Sequence, residues 1–396
     1  MRIGRSVAHV VALVAVASGG VWFATRGAAV PAAQSAPTAV AAPARTDVPV
    51  VQYDVVSNFL KTTPDMNFGE VLGVAVNSKG SLVVLNHPGS ATVGPLYGNA
   101  STQLLEFDST GKFVREIGKG VYGLGYSHSI RFDKHDNLWV VDKGTNAVVK
   151  FNPAGFVTMN LGRRAEGPDD PAESYFHGGP LTGPPPAHVD GYFRGPTDVA
   201  FDSDDNIYVS DGYTNSRVAK FDKRGTWVKT WGSRGSGGAH ASENPSQFNT
   251  PHNIGVDRQN NVYVADRNNR RIQVFDRDGN FLRFIHLNAA YDKKRHPVLG
   301  NTPANAPDET QPWTICITNT PTQYLFTSDS EPGRIYKLTL DGKIVGMIGE
   351  SGRDTRQFNW IHSLACPSPD SLVVADMNNW RVLKVTLKGG AATTSN

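Results

Sequence analysis

Three histidines, His128, His252 and His362, open three copies of one short unit: HSIRFDKHDNLWVVD, HNIGVDRQNNVYVAD and HSLACPSPDSLVVAD. Neutral imidazole is a strong ligand for zinc and related divalent ions, and three such ligands leave a coordination position open for water or substrate. The chemistry exists only if the fold brings these distant segments to one point. The elements that carry them therefore decide the question.

The unit recurs six times, at residues 72–86, 128–142, 197–211, 252–266, 313–329 and 362–376. Each copy has an alternating apolar strand, a polar turn, a second strand rich in Val, Tyr or Trp, and a closing Asp or Asn. Most copies are followed by a second hairpin, such as RVAKFDKRGTWVKTWG or RIQVFDRDGNFLRFIH. Four strands per unit and six units predict an all-β chain folded as a six-bladed β-propeller over residues 51–390. The first position of the unit reads Leu72, His128, Thr197, His252, Trp313, His362. Alternate blades of a six-fold ring stand ~120° apart, so the three histidines are expected to converge on the axis. A single histidine at a strand start is usually a turn or packing residue; three in symmetry-related places point to a metal site. His87 excepted, the other histidines read as loop residues. The closing acid of each unit is expected to cap turn N–H groups.

Glycine and proline are abundant, with 40 and 25 copies in 396 residues, as many short strands joined by turns require. At the N-terminus, Arg2 and Arg5 precede an uncharged, mostly apolar stretch from Ser6 to Thr25 and then small-residue cleavage signals. Residues 1–27 read as a signal peptide or N-terminal membrane anchor and 28–50 as an Ala/Pro-rich disordered linker, with 391–396 a disordered tail. The expected location is periplasmic or secreted, with membrane contact only through that anchor. Residues 1–45 hold four arginines and no acid, so without them the formal charge moves from +3 to about −1. No electrostatic footing for nucleic acid remains. Cys316 and Cys366 are the only cysteines and could pair or be separately buried. Residues 163–195 and 288–312 are long for connections between blades and are candidate binding loops. A monomer is expected.

The segments PTDVAFDSDDNIYVSDGYTNSRVAKFDKRGTWVKTWG and QFNTPHNIGVDRQNNVYVADRNNRRIQVFD, with the HSI and IHSLA starts, resemble the NHL-repeat six-bladed propellers. Within that group they resemble the peptidyl-α-hydroxyglycine α-amidating lyases, over residues 66–388 and most specifically in SDGYTNSR and TPHNIGV. The resemblance implies that His128, His252 and His362 hold a catalytic metal, usually zinc, in the central channel. It implies that Tyr213 accepts a proton from the substrate hydroxyl, and that the C–N bond of a carbinolamide breaks to give an amide and glyoxylate. A tyrosine is a poor base near its ordinary pKa of ~10, but a neighbouring dication favours the phenolate.

Departures from the family pattern are specific. An arginine expected in blade one, within His-Arg-Gly, is replaced in LNHPGS, where His87 or Pro88 stands in its place. A histidine is not an equivalent fork donor. His87 is accordingly taken as a catalytic candidate, with Arg131 and Arg267 as cations that could reach the substrate instead. Ser363 follows the third histidine where the family has an acid, which makes a structural Ca²⁺ doubtful. Thr214 replaces a cysteine, so the family's disulfide at that place is absent. The leading expectation is a metal-dependent lyase acting on a small-molecule or peptide substrate in the central channel. A lactonase-like propeller hydrolase, which would favour acidic calcium ligands, and a non-catalytic propeller binding a peptide, glycan or protein are the alternatives.

Overall fold

A computed structural model describes residues 45–88, 102–121, 123–162, 187–235, 244–291, 310–329 and 333–391. The signal peptide or anchor, most of the expected linker, most of both long insertions and the final tail beyond Ala391, which itself pairs with Val51, lie outside these residues.

Six four-stranded antiparallel sheets are present among the described residues, each with its strands in meander order. Blade one is Glu70–Val76, Leu82–His87, Gln103–Phe107 and Phe113–Ile117; blade two is Ser127–Phe132, Leu138–Asp142, Ala147–Phe151 and Val157–Leu161. Blade three is Asp198–Phe201, Ile207–Asp211, Arg217–Phe221 and Trp227–Trp231; blade four is Pro251–Val256, Val262–Asp266, Arg271–Phe275 and Phe281–Ile285. Blade five is Cys316–Ile317, Tyr324–Ser328, Ile335–Thr339 and Ile344–Ile348. Blade six takes Ile361–Ser368, Ser371–Asp376 and Arg381–Ala391 from the C-terminal end and its outermost strand, Val51–Val56, from the N-terminal end. That last pairing closes the ring, because it ties the two ends of the repeat array into one sheet.

Each inner strand packs against the inner strands of its neighbours, and that of blade six against that of blade one. The periodicity explains the layering. Second strands such as Leu138–Asp142 are buried on both faces, whereas the outer strand Val157–Leu161 exposes most of its residues. The core is accordingly divided into six clusters, one at each blade-to-blade boundary. One blade alone could not bury such faces, and the ring supplies the second wall for each.

The closing acids behave as the repeat predicts. Asp142, Asp211, Asp266 and Asp376, and Asn86 in blade one, each accept through Oδ1 a backbone N–H from the segment entering their own blade. The cysteines, left open by the sequence, form a disulfide between the inner strands of blades five and six. Residues 45–50, placed in the linker by composition, are held by the propeller: Arg45 bridges Ala289, and Met347 N–H donates to the Pro49 carbonyl at 2.8 Å. Among the described residues no helix is long and apolar enough to cross a membrane.

Candidate metal centre

The first position of the repeated unit is a β-bulge. In blades one, two, four and six the ladder register slips across Leu72, His128, His252 and His362 respectively. A bulged residue is released from the ladder and its side chain is re-aimed, which lets the three imidazoles leave their blade faces and meet. One ligand nitrogen from each of His128, His252 and His362 lies within 4.8 Å of the others. Their ring centroids are 4.7, 4.8 and 5.1 Å apart, and all three are buried.

The orientation of each ring is set by the next blade. His128 Nδ1 lies 2.7 Å from the Thr197 carbonyl, His252 Nδ1 3.0 Å from that of Trp313, and His362 Nδ1 2.8 Å from that of Leu72. Thr197, Trp313 and Leu72 are the non-histidine occupants of the same repeat position, so the alternating pattern supplies ligands from even blades and carbonyls from odd ones. A carbonyl only accepts, so each Nδ1 carries the proton and each Nε2 keeps its lone pair. Burial holds His128 and His252 well below the ordinary imidazole value and His362 at about 3, so all three are neutral near pH 7. His252 Nε2 is buried with no hydrogen-bond partner. Three neutral imidazoles with inward lone pairs, one of them orphaned, fit a divalent metal of zinc-like preference.

Tyr213 stands beside this group. Its hydroxyl is 3.1 Å from His128 Nε2, and because that nitrogen is an acceptor the phenol O–H donates to it. Two glycines place it. Gly212 sits where any Cβ would fall 2.0 Å from the Pro251 carbonyl, directly before His252, and Gly195, at φ 72°, passes against the Tyr213 side chain. Tyr213 N–H donates to the Gly195 carbonyl at 3.1 Å. Burial alone would raise the phenol's pKa, but the neighbouring charges of Lys143 and Arg267 outweigh burial and lower it.

The other sequence candidates separate clearly. Arg267 belongs to the cluster: its guanidinium lies 4.3 Å from the Trp313 ring centroid and 6.0 Å from that of Tyr213. Arg131 has its donors elsewhere, on Asp198 at 2.7 and 3.2 Å, Asn253 Oδ1 at 2.7 Å and the Ile315 carbonyl at 2.8 Å. It links the inner strands of blades two to five. His87 is fully buried and its Nε2 donates to the Ser127 carbonyl at 3.0 Å, fixing the backbone just before His128. Thr197 Oγ1 and Ser328 Oγ make the matching bonds to the carbonyls of Pro251 and Ile361, before the other two ligands. His87 is thus placed to hold a ligand strand. Ser363 accepts Val74 N–H through Oγ at 3.3 Å, a link between blades six and one.

Sequence reasoning missed Lys143. The signal was available in a second repeat position, the residue after the closing Asp or Asn, which reads His87, Lys143, Gly212, Arg267 and Met377 in blades one, two, three, four and six. Reading it across the blades would have found both cations together.

Comparison with known proteins agrees with the architecture. A family model described as NHL repeat matches residues 193–221 and 248–275. A peptidyl-glycine alpha-amidating monooxygenase of Mus musculus is 32% identical over 230 residues, 53% of this chain and 21% of that protein. A probable peptidyl-alpha-hydroxyglycine alpha-amidating lyase of Caenorhabditis elegans is 25% identical over 321 residues, covering 70% of this chain and 84% of the relative. The chain thus spans about a fifth of the length of the mouse protein. Among solved structures, a streptogramin B lyase superposes with a TM-score of 0.51 at 13% identity over 85% of this chain and 98% of that one. A gluconolactonase of Xanthomonas campestris reaches 0.54 at 13% identity, over 89% and 99%. At such identities these two likenesses speak for the fold alone.

Proposed function

We propose that this NHL-repeat propeller, a relative of the peptidyl-α-hydroxyglycine α-amidating lyases, is itself an exported metal-dependent carbon–nitrogen lyase. Its substrate would be an α-hydroxyglycine-type carbinolamide, small or peptidyl, reaching the centre along the channel. The observation that carries this reading is the Tyr213 hydroxyl 3.1 Å from the inward nitrogen of His128, inside a cluster of three buried neutral imidazoles.

A divalent metal held by His128, His252 and His362, zinc on this reading, would supply a Lewis acid that acidifies the substrate hydroxyl. The chain's own residues account for the rest. Tyr213 accepts the hydroxyl proton, helped by the Lys143 and Arg267 charges that favour its anionic form. The oxygen electron pair becomes the C=O bond of glyoxylate while the C–N pair leaves with the amide nitrogen, which takes back one proton. That Lys143, Tyr213 and Arg267 are only partly buried, whereas the three imidazoles are buried, supports a substrate approach from their side. Arg267 has the charge to meet the substrate carboxylate. The imidazole ligand set favours this reading over a lactonase-like hydrolase on acidic calcium ligands.

Export is supported by the apolar N-terminal stretch and by the Cys316–Cys366 disulfide, a bond that persists in oxidising compartments. The test is turnover of N-benzoyl-α-hydroxyglycine to benzamide and glyoxylate by the zinc-loaded chain and by Tyr213→Phe. Turnover by wild type, reduced about 10²-fold or more in the variant at unchanged zinc content, is expected for a lost proton acceptor. Absence of turnover in wild type holding one zinc per chain would end the lyase reading and favour a binding propeller.

A further inference from the structure

Lys143 is the first residue after the second strand of blade two, and its backbone N–H donates to the Tyr126 carbonyl at 3.1 Å. Its ammonium sits between two aromatic rings, 4.1 Å from the Tyr126 centroid and 4.7 Å from that of Tyr213. Tyr126 is braced from behind by His87, edge to face at 4.8 Å between centroids. One wall is therefore rigid and the other carries the phenol. We propose that Lys143 is a positioning residue of the metal centre, which holds the Tyr213 phenol against His128 and places a fixed positive charge beside the three imidazoles.

The contacts of Tyr213 support the assignment. The Tyr213 O–H donates to His128 Nε2 at 3.1 Å while the Lys143 ammonium lies 4.7 Å from the centroid of the same ring, so the phenol is held at its hydroxyl and at its ring. Two contacts at different points of the side chain thus fix its rotation. The charge has a second consequence. The ammonium lies 4.7 Å from the Tyr213 centroid, itself 5.4 Å from that of His128, so its field opposes a dication held by the three imidazoles. Lys143 thus weakens metal affinity somewhat while it favours the anionic phenol. A lysine present only to pack against two rings would do neither through its charge, and methionine would replace its stem well.

The kinetic arm of this inference rests on the lyase reading; the metal arm does not. The full chain and its Lys143→Met and Lys143→Arg variants would be compared in two measurements: zinc affinity by chelator competition, and steady-state turnover of N-benzoyl-α-hydroxyglycine. Lys143→Met is expected to bind zinc about threefold to tenfold more tightly, with Lys143→Arg near wild type, since only the methionine removes the charge. In turnover, Lys143→Met should lose about 10²-fold in kcat with KM nearly unchanged, and Lys143→Arg should recover at least tenfold of it. Unchanged zinc affinity in Lys143→Met overturns the proposal, as does a change in KM alone, or an arginine variant no better than methionine. If wild type does not turn over at all, the lyase reading fails and zinc affinity alone decides the role of Lys143. Should Lys143→Met fold poorly, the arginine variant and a Lys143→Gln variant carry the same comparison.

Discussion

His252 Nδ1 lies 3.0 Å from the carbonyl oxygen of Trp313, the residue that occupies in blade five the position His252 occupies in blade four. The bond makes one repeat the orienting partner of the next. It fixes the tautomer without a side-chain acceptor, so no carboxylate needs to be buried at the axis. His128 with Thr197 and His362 with Leu72 repeat the arrangement. Three-fold convergence of imidazoles inside a six-fold ring is therefore a property of the backbone, and any residue at the odd positions can supply the carbonyl. This explains why Leu72, Thr197 and Trp313 share no chemistry.

His252→Ala removes one of three ligands and leaves the Trp313 carbonyl without its donor. Purified wild-type chain is expected to hold about one zinc per chain by elemental analysis, and the variant a small fraction of that, because two imidazoles do not retain the ion. The cavity left by the imidazole should cost about 1–3 kcal/mol of stability, so metal content is to be read on folded protein. Equal metal in both would sink the three-histidine centre.

The convergence of the three histidines was legible because the propeller forces equivalent positions together, so a pattern across blades carries three-dimensional information. Tyr213 was legible only through its SDGYTNSR setting, since a tyrosine after a blade strand is otherwise an ordinary packing residue. Arg131 and Lys143 show the limit. Both are cations near a strand of blade two, and nothing local in RFDKHD or VVDKGT says which one stands beside Tyr213. The answer depends on Asp198, Asn253 and Ile315 claiming Arg131, contacts that span three other blades. The bulges at His128, His252 and His362 also escaped notice, because a one-residue slip leaves no mark in the alternating pattern.

Arg131 and Asp198 form an ion pair at 2.7 Å in which the carboxylate is completely buried. Removing only the cation leaves that carboxylate charged and buried with the Ile254 N–H still donating to it, and Arg131→Met is expected to cost about 3 kcal/mol. Removing both charges with Arg131→Met/Asp198→Asn should cost less than the single variant. Urea denaturation of the two variants checks this; a double variant worse than the single by the full cost of a second independent lesion would show the two residues to be uncoupled.

The inner strand of blade five is the shortest of the ring, Cys316–Ile317, with only two residue pairs to its neighbour. The disulfide from Cys316 to Cys366 crosses from this strand to blade six and closes a separation of 50 residues. A covalent tie thus reinforces the place where the ladder is weakest. The variant Cys316→Ala/Cys366→Ala is expected to lose about 2–4 kcal/mol. Thermal unfolding of wild type with and without reductant gives the same comparison, and a melting temperature indifferent to both treatments would contradict it.

His87 predicts a dependence on pH. Burial, and secondarily the Lys143 charge, lower its pKa from 6.5 to about 4. Between those values the unfolded chain binds a proton that the folded chain refuses, so folding loses stability as the pH falls. The contribution is complete above pH 6.5, declines as the pH drops towards 4, and amounts to about 3 kcal/mol. In His87→Gln the amide can still donate to the Ser127 carbonyl, but nothing titrates. Urea denaturation at pH 7 and pH 4.5, with chelator present in both chains, should show wild type losing about 2–3 kcal/mol more than the variant. The three clustered histidines titrate in both chains, so the difference isolates His87 together with its charge coupling to His362. Equal losses would mean that His87 is protonated in the folded protein, and the bond from its Nε2 to Ser127 would then have to be accompanied by an acceptor at Nδ1, an atom that is buried with no partner.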